Sequence, residues 1–158
     1  MPIRIRTAVE ADRERIFPLQ KEIADLHHSG RPDLFKTQPR FYTEEDFSKR
    51  LNDPDHSIFI AEDETGSVVG YAFCWVIHNK NHPTYIDFDC FYIDDICVLK
   101  ACQRNGIGRK LFEHCKQRAQ EQHCKMIDLG VWSFNKEAIA FYESCGLSER
   151  MRRMSLML

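Results

Sequence analysis

The segment Tyr92 to Cys115, YIDDICVLKACQRNGIGRKLFEHC, constrains the fold more than any other part of the chain. An apolar, β-prone run ends at Val98, and a polar loop holding Gly106 and Gly108 follows. The next residues place Leu111, Cys115 and Ala119 on one helical face. A strand that feeds directly into an amphipathic helix needs that helix to pack back on its own sheet, so the chain has to be layered. Glycines at such a helix start let an anion approach bare main-chain N–H groups, where the helix carries partial positive charge. A short glycine loop before a helix also serves as a plain tight turn, and spacing alone leaves both readings open. Neither GxxxxGK(S/T) nor GxGxxG is present, because Leu111 stands three residues after Gly108.

Strands and helices flank this segment on both sides. IRIRTA (Ile3 to Ala8) alternates as a strand, and Ile16, Leu19, Ile23 and Leu26 then recur near helical period, with Pro18 expected to kink the helix. SGRPDLFKTQP (Ser29 to Pro39) has turn chemistry and reads as a loop. Thr43 stands three residues before Asp46, a capping-box-like start for a second helix ending near Asn52. SIFIAED and SVVGYAFCWVIH, joined by ETG, read as an antiparallel hairpin, and YIDFDCFYIDDICVL as a further strand, bent or bulged along its length. After the helix from Ile107 come a strand (CKMIDLGVW), a short helix closed by Gly146 (NKEAIAFYESCG), and a final strand from ERMRRMSLML. The pattern predicts a single α+β domain over residues 1–158.

Charge and cysteine usage narrow the partners. A net charge of −2 provides no field to hold a nucleic-acid backbone, and no apolar run approaches the ~18 residues of a membrane span. Seven cysteines without a CxxC spacing suit reduced thiols, so a cytoplasmic protein without structural disulfides is expected. His78 and His82 are four residues apart on a strand end and a loop with no accompanying acid, so no metal site is expected.

The run from Tyr92 to Phe112 resembles the central motif of the GNAT (GCN5-related) N-acetyltransferase superfamily. In that family a strand ending in valine runs into a loop (Q/R)-x-x-G-x-(G/A) that opens a helix. Here the loop is Gln103, Arg104, Asn105, Gly106, Ile107 and Gly108 after Val98. A second stretch, NKEAIAFYESCGL, resembles the family's N-x-x-A-x-x-F-Y-x-x-x-G-(F/L) through Asn135, Ala138, Phe141, Tyr142 and Gly146. Lys100 departs from the pattern, standing where many members carry proline. The resemblance implies the GNAT fold, with a mixed, mostly antiparallel sheet, splayed central strands and about four flanking helices.

It also implies an enzyme that uses acetyl-coenzyme A as cosubstrate, held by Cys97, Val98, Gln103, Arg104, Asn105, Gly106, Ile107, Gly108, Arg109, Asn135 and Tyr142. The acceptor would be a small-molecule amine, in the manner of small-amine and polyamine acetyltransferases, or a peptide amine. Amine attack on a thioester needs a proton acceptor, a donor at the developing oxyanion and a donor to the leaving thiolate. Tyr142 matches the family's proton-donating tyrosine, and a strand N–H near Cys97 or Val98 would hold the oxyanion. Asp94 is the expected base, acting directly or through a water. Asp94 and Asp95 should face opposite sides of a regular strand, although a bulge could reverse their register.

Asp87, Asp89 and Asp94 recur along the strand and could draw in a cationic amine, while His28, Arg31, Asp33 and Phe35 lie in the loop expected on the acceptor side. Cys97 reads as a small buried hydrophobe whose replacement by alanine should leave activity intact. A noncatalytic coenzyme A-binding domain of the same fold is the alternative reading. The apolar C-terminal run could pair between subunits in a homodimer.

Overall fold

The computed structural model of the chain describes residues 2–37 and 42–158. Five strands lie side by side in sequence order: β1 (Arg4–Thr7), β2 (His56–Glu62), β3 (Val68–Asn79), β4 (Phe88–Val98) and β5 (Met126–Leu129). β1 to β4 pair antiparallel, and β5 joins β4 in parallel. Helix α3 (Ile107–Glu121) makes the return that a parallel connection requires. β3 lies mid-sheet and is buried along most of its length, so its sequence is apolar on both faces.

Two cores sit on the two faces. α3 and α4 (Lys136–Ser144) close one over Phe59, Cys74, Phe91 and Ile93; α1 (Asp12–Gly30) and α2 (Glu44–Asn52) close the other over Ile58, Ile60, Tyr71 and Phe73. The expected capping box is formed: the Asp46 N–H donates to Thr43 Oγ1 at 3.1 Å, and the Thr43 N–H donates to Asp46 Oδ2 at 3.3 Å. All seven cysteines are free thiols, with the Cys74 and Cys115 sulfurs 3.7 Å apart in the core.

Three features differ from the sequence reading. α1 continues through the exposed Pro18, whose missing N–H leaves the carbonyl of exposed Glu14 on the solvent side without a helical donor. The same helix takes in Ser29 and Gly30, read above as loop, because Gly30 packs against the ring of Phe134 where no β-carbon would fit. The end of that expected loop, residues 38–39, lies outside the described residues. Residues 147–158 form no strand. β5 offers only four residues of ladder, and this tail instead meets the strand through the Arg150–Asp128 ion pair, leaving Met151, Met154, Leu156 and Leu158 exposed.

A buried carboxylate ties the first strand to its neighbours. Asp12 is fully buried and accepts from Arg6 at 2.7 Å, from Arg15 at 2.6 Å and from the Val9 N–H at 2.9 Å; Arg6 also reaches Glu62 on β2 at 2.7 Å. Burial alone would raise the Asp12 carboxyl, but the Arg6 and Val9 hydrogen bonds outweigh it and hold its pKa below the ordinary value. A lowered carboxylate contributes stability above its unfolded pKa of about 4 and loses it as pH falls through the folded value. Asp12→Ala should therefore cost about 3 kcal/mol in urea unfolding at neutral pH, and the cost should shrink below about pH 4. An undiminished difference in acid would refute the ion-pair origin.

Candidate active site

The parallel pairing of β4 with β5 runs only from Cys90↔Met126 to Ile93↔Leu129. Beyond it the edge of β4 from Asp94 to Val98 faces an open gap. At the same point the β3–β4 register shifts between Phe73↔Asp95 and Cys74↔Ile93, which makes Asp94 the extra residue of a β-bulge. The Leu99 N–H donates to Val69 O on β3 at 3.0 Å, so strand alternation turns the Val98 N–H and C=O toward the gap. Gln103 Nε2 caps that Val98 carbonyl at 3.0 Å. Of the two residues named above for the oxyanion, Val98 therefore presents its N–H, whereas that of Cys97 points to β3.

The bulge overturns the expectation that Asp94 and Asp95 face apart. Both carboxyls lie on the face covered by α1 and α2: Tyr42 donates to Asp94 Oδ2 at 3.3 Å, and Tyr71 donates to Asp95. The two tyrosine rings flank one residue, Phe73, at 4.8 and 5.2 Å. Burial pushes the Asp95 carboxyl up to about 7; the Tyr71 bond opposes that rise and the Asp94 charge adds to it. Burial also raises Asp94, against the Tyr42 hydrogen bond and the nearby Arg50 charge. Tyr42 is pushed up to about 12, first by burial and then by Asp94.

At the mouth of the gap lies the glycine loop. Arg104 (φ 64°) and Gly106 (φ 76°) both adopt the left-handed region, and Gly106 caps the start of α3. A β-carbon on Gly108 would come within 3.3 Å of the Phe141 ring, so that glycine lets α3 close on α4. Among the described residues, no acceptor lies against the main-chain N–H groups from Arg104 to Arg109. The Asn105 side chain instead bonds the Cys102 and Gln103 carbonyls and shapes the turn. Arg104 is exposed and 3.5 Å from Glu137, whereas Arg109 is drawn to Ser144 O at 3.1 Å. Arg109 thus ties α3 to α4, a role its sequence position did not reveal.

Asn135 caps α4 by accepting from the Ala138 N–H at 3.1 Å, which fixes the start of the helix that carries Tyr142. Burial and the Asp95 charge push the Tyr142 phenol up, so it stays protonated, and its hydroxyl has no hydrogen-bond partner among the described residues. Cys97 is buried, with its thiol donating to Leu19 O and raised chiefly by burial.

On the acceptor side, His28 Nδ1 meets Phe35 O at 2.7 Å and Arg31 pairs with Asp33 at 2.6 Å, folding the loop on itself. Phe35 stacks on His27 and meets Trp132 edge-on at 5.2 Å, so this loop touches the one after β5. Asp87 and Asp89 do not join Asp94: they bond the Asn81 N–H and His78 at the opposite end of the sheet. A cavity of about 430 Å³ also lies at that end, between α2, β2 and α3; the loop and the acid pair do not line it.

Residues 21–147 match the profile described as the Acetyltransferase (GNAT) family. An L-ornithine N5-acetyltransferase of Arabidopsis thaliana is 30% identical over 96 residues, 61% of this chain and 41% of that protein. A thialysine N-epsilon-acetyltransferase of Mus musculus is 26% identical over 156 residues, covering 92% of this chain and 84% of the mouse protein. The chain spans about half the length of bacterial relatives it also matches. A mutant BH1408 protein of Bacillus halodurans has the same fold with a TM-score of 0.94 at 26% identity, over 98% of this chain and 99% of that one.

The left-handed φ at Gly106 makes a clear demand. Gly106→Ala should lower stability by about 1–2 kcal/mol in chemical denaturation even though its β-carbon would meet open space. A neutral result would show that the loop does not need that conformation.

Proposed function

The chain belongs to the GNAT acetyltransferase family, and on that premise we propose that it transfers the acetyl group of acetyl-coenzyme A to a primary amine by direct attack. The observation that carries this reading is the open edge of β4 beside a run of unpaired N–H groups. An extended amide-bearing arm fits the first, and a diphosphate fits the second. Gly106 and Gly108 keep side chains away from that run, and the exposed Arg104 adds a cation at its rim.

Bound there, the cosubstrate supplies an activated acyl group as its thioester. The chain supplies the remaining chemistry. The Val98 N–H donates to the carbonyl oxygen as charge develops on it. Asp94, its proton affinity raised by burial, takes the proton of the incoming ammonium, directly or through a water. Tyr142 keeps its proton until the carbon–sulfur bond breaks, then gives it to the departing sulfur, which leaves as a thiol. The phenolate regains a proton from solvent while Asp94 releases the one it took. The names of the plant and mouse relatives place their acetyl groups on the side-chain amines of L-ornithine and thialysine, which supports a primary aliphatic amine as acceptor. The buried, raised thiol of Cys97 favours direct transfer over an acyl-cysteine.

Calorimetry with acetyl-coenzyme A should register binding, and a thiol-release assay over a panel of primary amines should register turnover. Asp94→Asn should lower kcat/KM by about 10²–10⁴-fold, and Tyr142→Phe should slow turnover. Cys97→Ala should leave turnover within about threefold, an effect under one kcal/mol. Because the base must be unprotonated and burial raises the Asp94 carboxyl, kcat/KM should fall in acid as that carboxyl protonates, and a pH profile of Asp94→Asn should lack that limb. Binding without turnover on any amine would favour the noncatalytic reading; no binding at all would overturn both.

A further inference from the structure

Beside the acid pair lies a cation that the transfer chemistry leaves unused. Arg50, at the end of α2, is half-buried, with its guanidinium carbon 4.6 Å from the centre of the Tyr42 ring and 5.8 Å from that of Trp75. Trp75 in turn packs on Tyr92 at 5.1 Å, so the guanidinium rests on an aromatic floor continuous with β4. Among the described residues, it donates no hydrogen bond and has no carboxylate within ion-pair distance. By contrast, Arg6, Arg15 and Arg31 are each held by a carboxylate. The two rings hold the guanidinium in place while leaving its N–H groups without a partner among the described residues, and such a fork suits bidentate capture of a carboxylate.

The other end of the same tyrosine fixes the spacing. Tyr42 presents its ring to Arg50 and its hydroxyl to Asp94, so one side chain separates a fixed cation from a fixed anion. A ligand lying along it meets negative charge where its ammonium must lose a proton and positive charge a few bonds away. A diamine would set its second ammonium against Arg50, a repulsive pairing, whereas an amino acid would set its carboxylate there.

We infer that Arg50 is a specificity residue that receives a carboxylate of the acceptor, so that the favoured substrate is an amino acid acetylated on its side-chain amine. The inference rests on the acyl-transfer reading above and narrows its acceptor class.

The test compares acceptors that differ only in the carboxylate: L-ornithine with putrescine and L-lysine with cadaverine, followed by thiol release from acetyl-coenzyme A. The wild-type chain should show the lower KM for the amino acid of each pair. Compared above the acid limb, where Asp94 is ionised in both chains, Arg50→Gln should raise the KM for the amino acids by about 10- to 100-fold relative to the diamines, the loss of a charge-assisted hydrogen bond. Arg50→Lys, which keeps the charge without the fork, should fall between. Equal KM values within each pair for the wild-type chain would overturn the assignment by themselves, even if the variants fail to fold. A uniform loss on all four acceptors in Arg50→Gln would also overturn it. No thiol released from any of them would instead bring down the acyl-transfer reading beneath it.

Discussion

Main-chain hydrogen bonding along β4 is maintained on one edge and interrupted on the other, and the remaining chemistry depends on that asymmetry. β3 holds the strand almost to its end, while β5 leaves it after Ile93. A strand edge with unpaired polar groups is ordinarily a liability, since it invites another chain to add to the sheet. Here the edge is recessed between the faces covered by α1 and α3. What it can add is therefore a slender extended molecule rather than a second sheet. The glycine loop stands at the end of that recess, so one extended ligand can meet both.

The bulge at Asp94 has a second effect, which is electrostatic. Putting two carboxyls on one face of a strand and covering them with aromatic rings raises the cost of ionising both. The tyrosines limit that cost without removing it. The result is an acid pair that favours one proton or one cation in residence. The adjacent aromatic surface carries Arg50, which makes the pocket amphoteric over a short distance.

Much of this was legible in the residues. The glycine loop ahead of α3 and the Thr43–Asp46 capping box are local devices whose spacing along the chain is their geometry, whereas Asn135, read only through the family motif, proves to cap α4. What stayed hidden depends on register. Strand periodicity sends Asp94 and Asp95 to opposite faces, and only the pairing with β3 exposes the inserted residue. Tyr71, Tyr42 and Arg50 are brought to the acid pair by contacts across the fold, and nothing in their local sequence marks them. Pro18 misled in the opposite direction: α1 tolerates it because the lost hydrogen bond lies on the exposed side. The tail from Leu147 shows that a strand-like composition needs a ladder to join, and four residues of β5 do not provide one.

The short β4–β5 ladder also divides the molecule mechanically. One wall of the gap is built from the hairpin and the first two helices, the other from the last strand and α4. Four paired main-chain positions below the gap join them, and Gly30 against Phe134 and Phe35 against Trp132 add side-chain contacts across it. On the proposed function, a molecule bonded to the free edge of β4 would add main-chain bonds where that ladder stops. Holding that occupant and stiffening the sheet beside it would then go together.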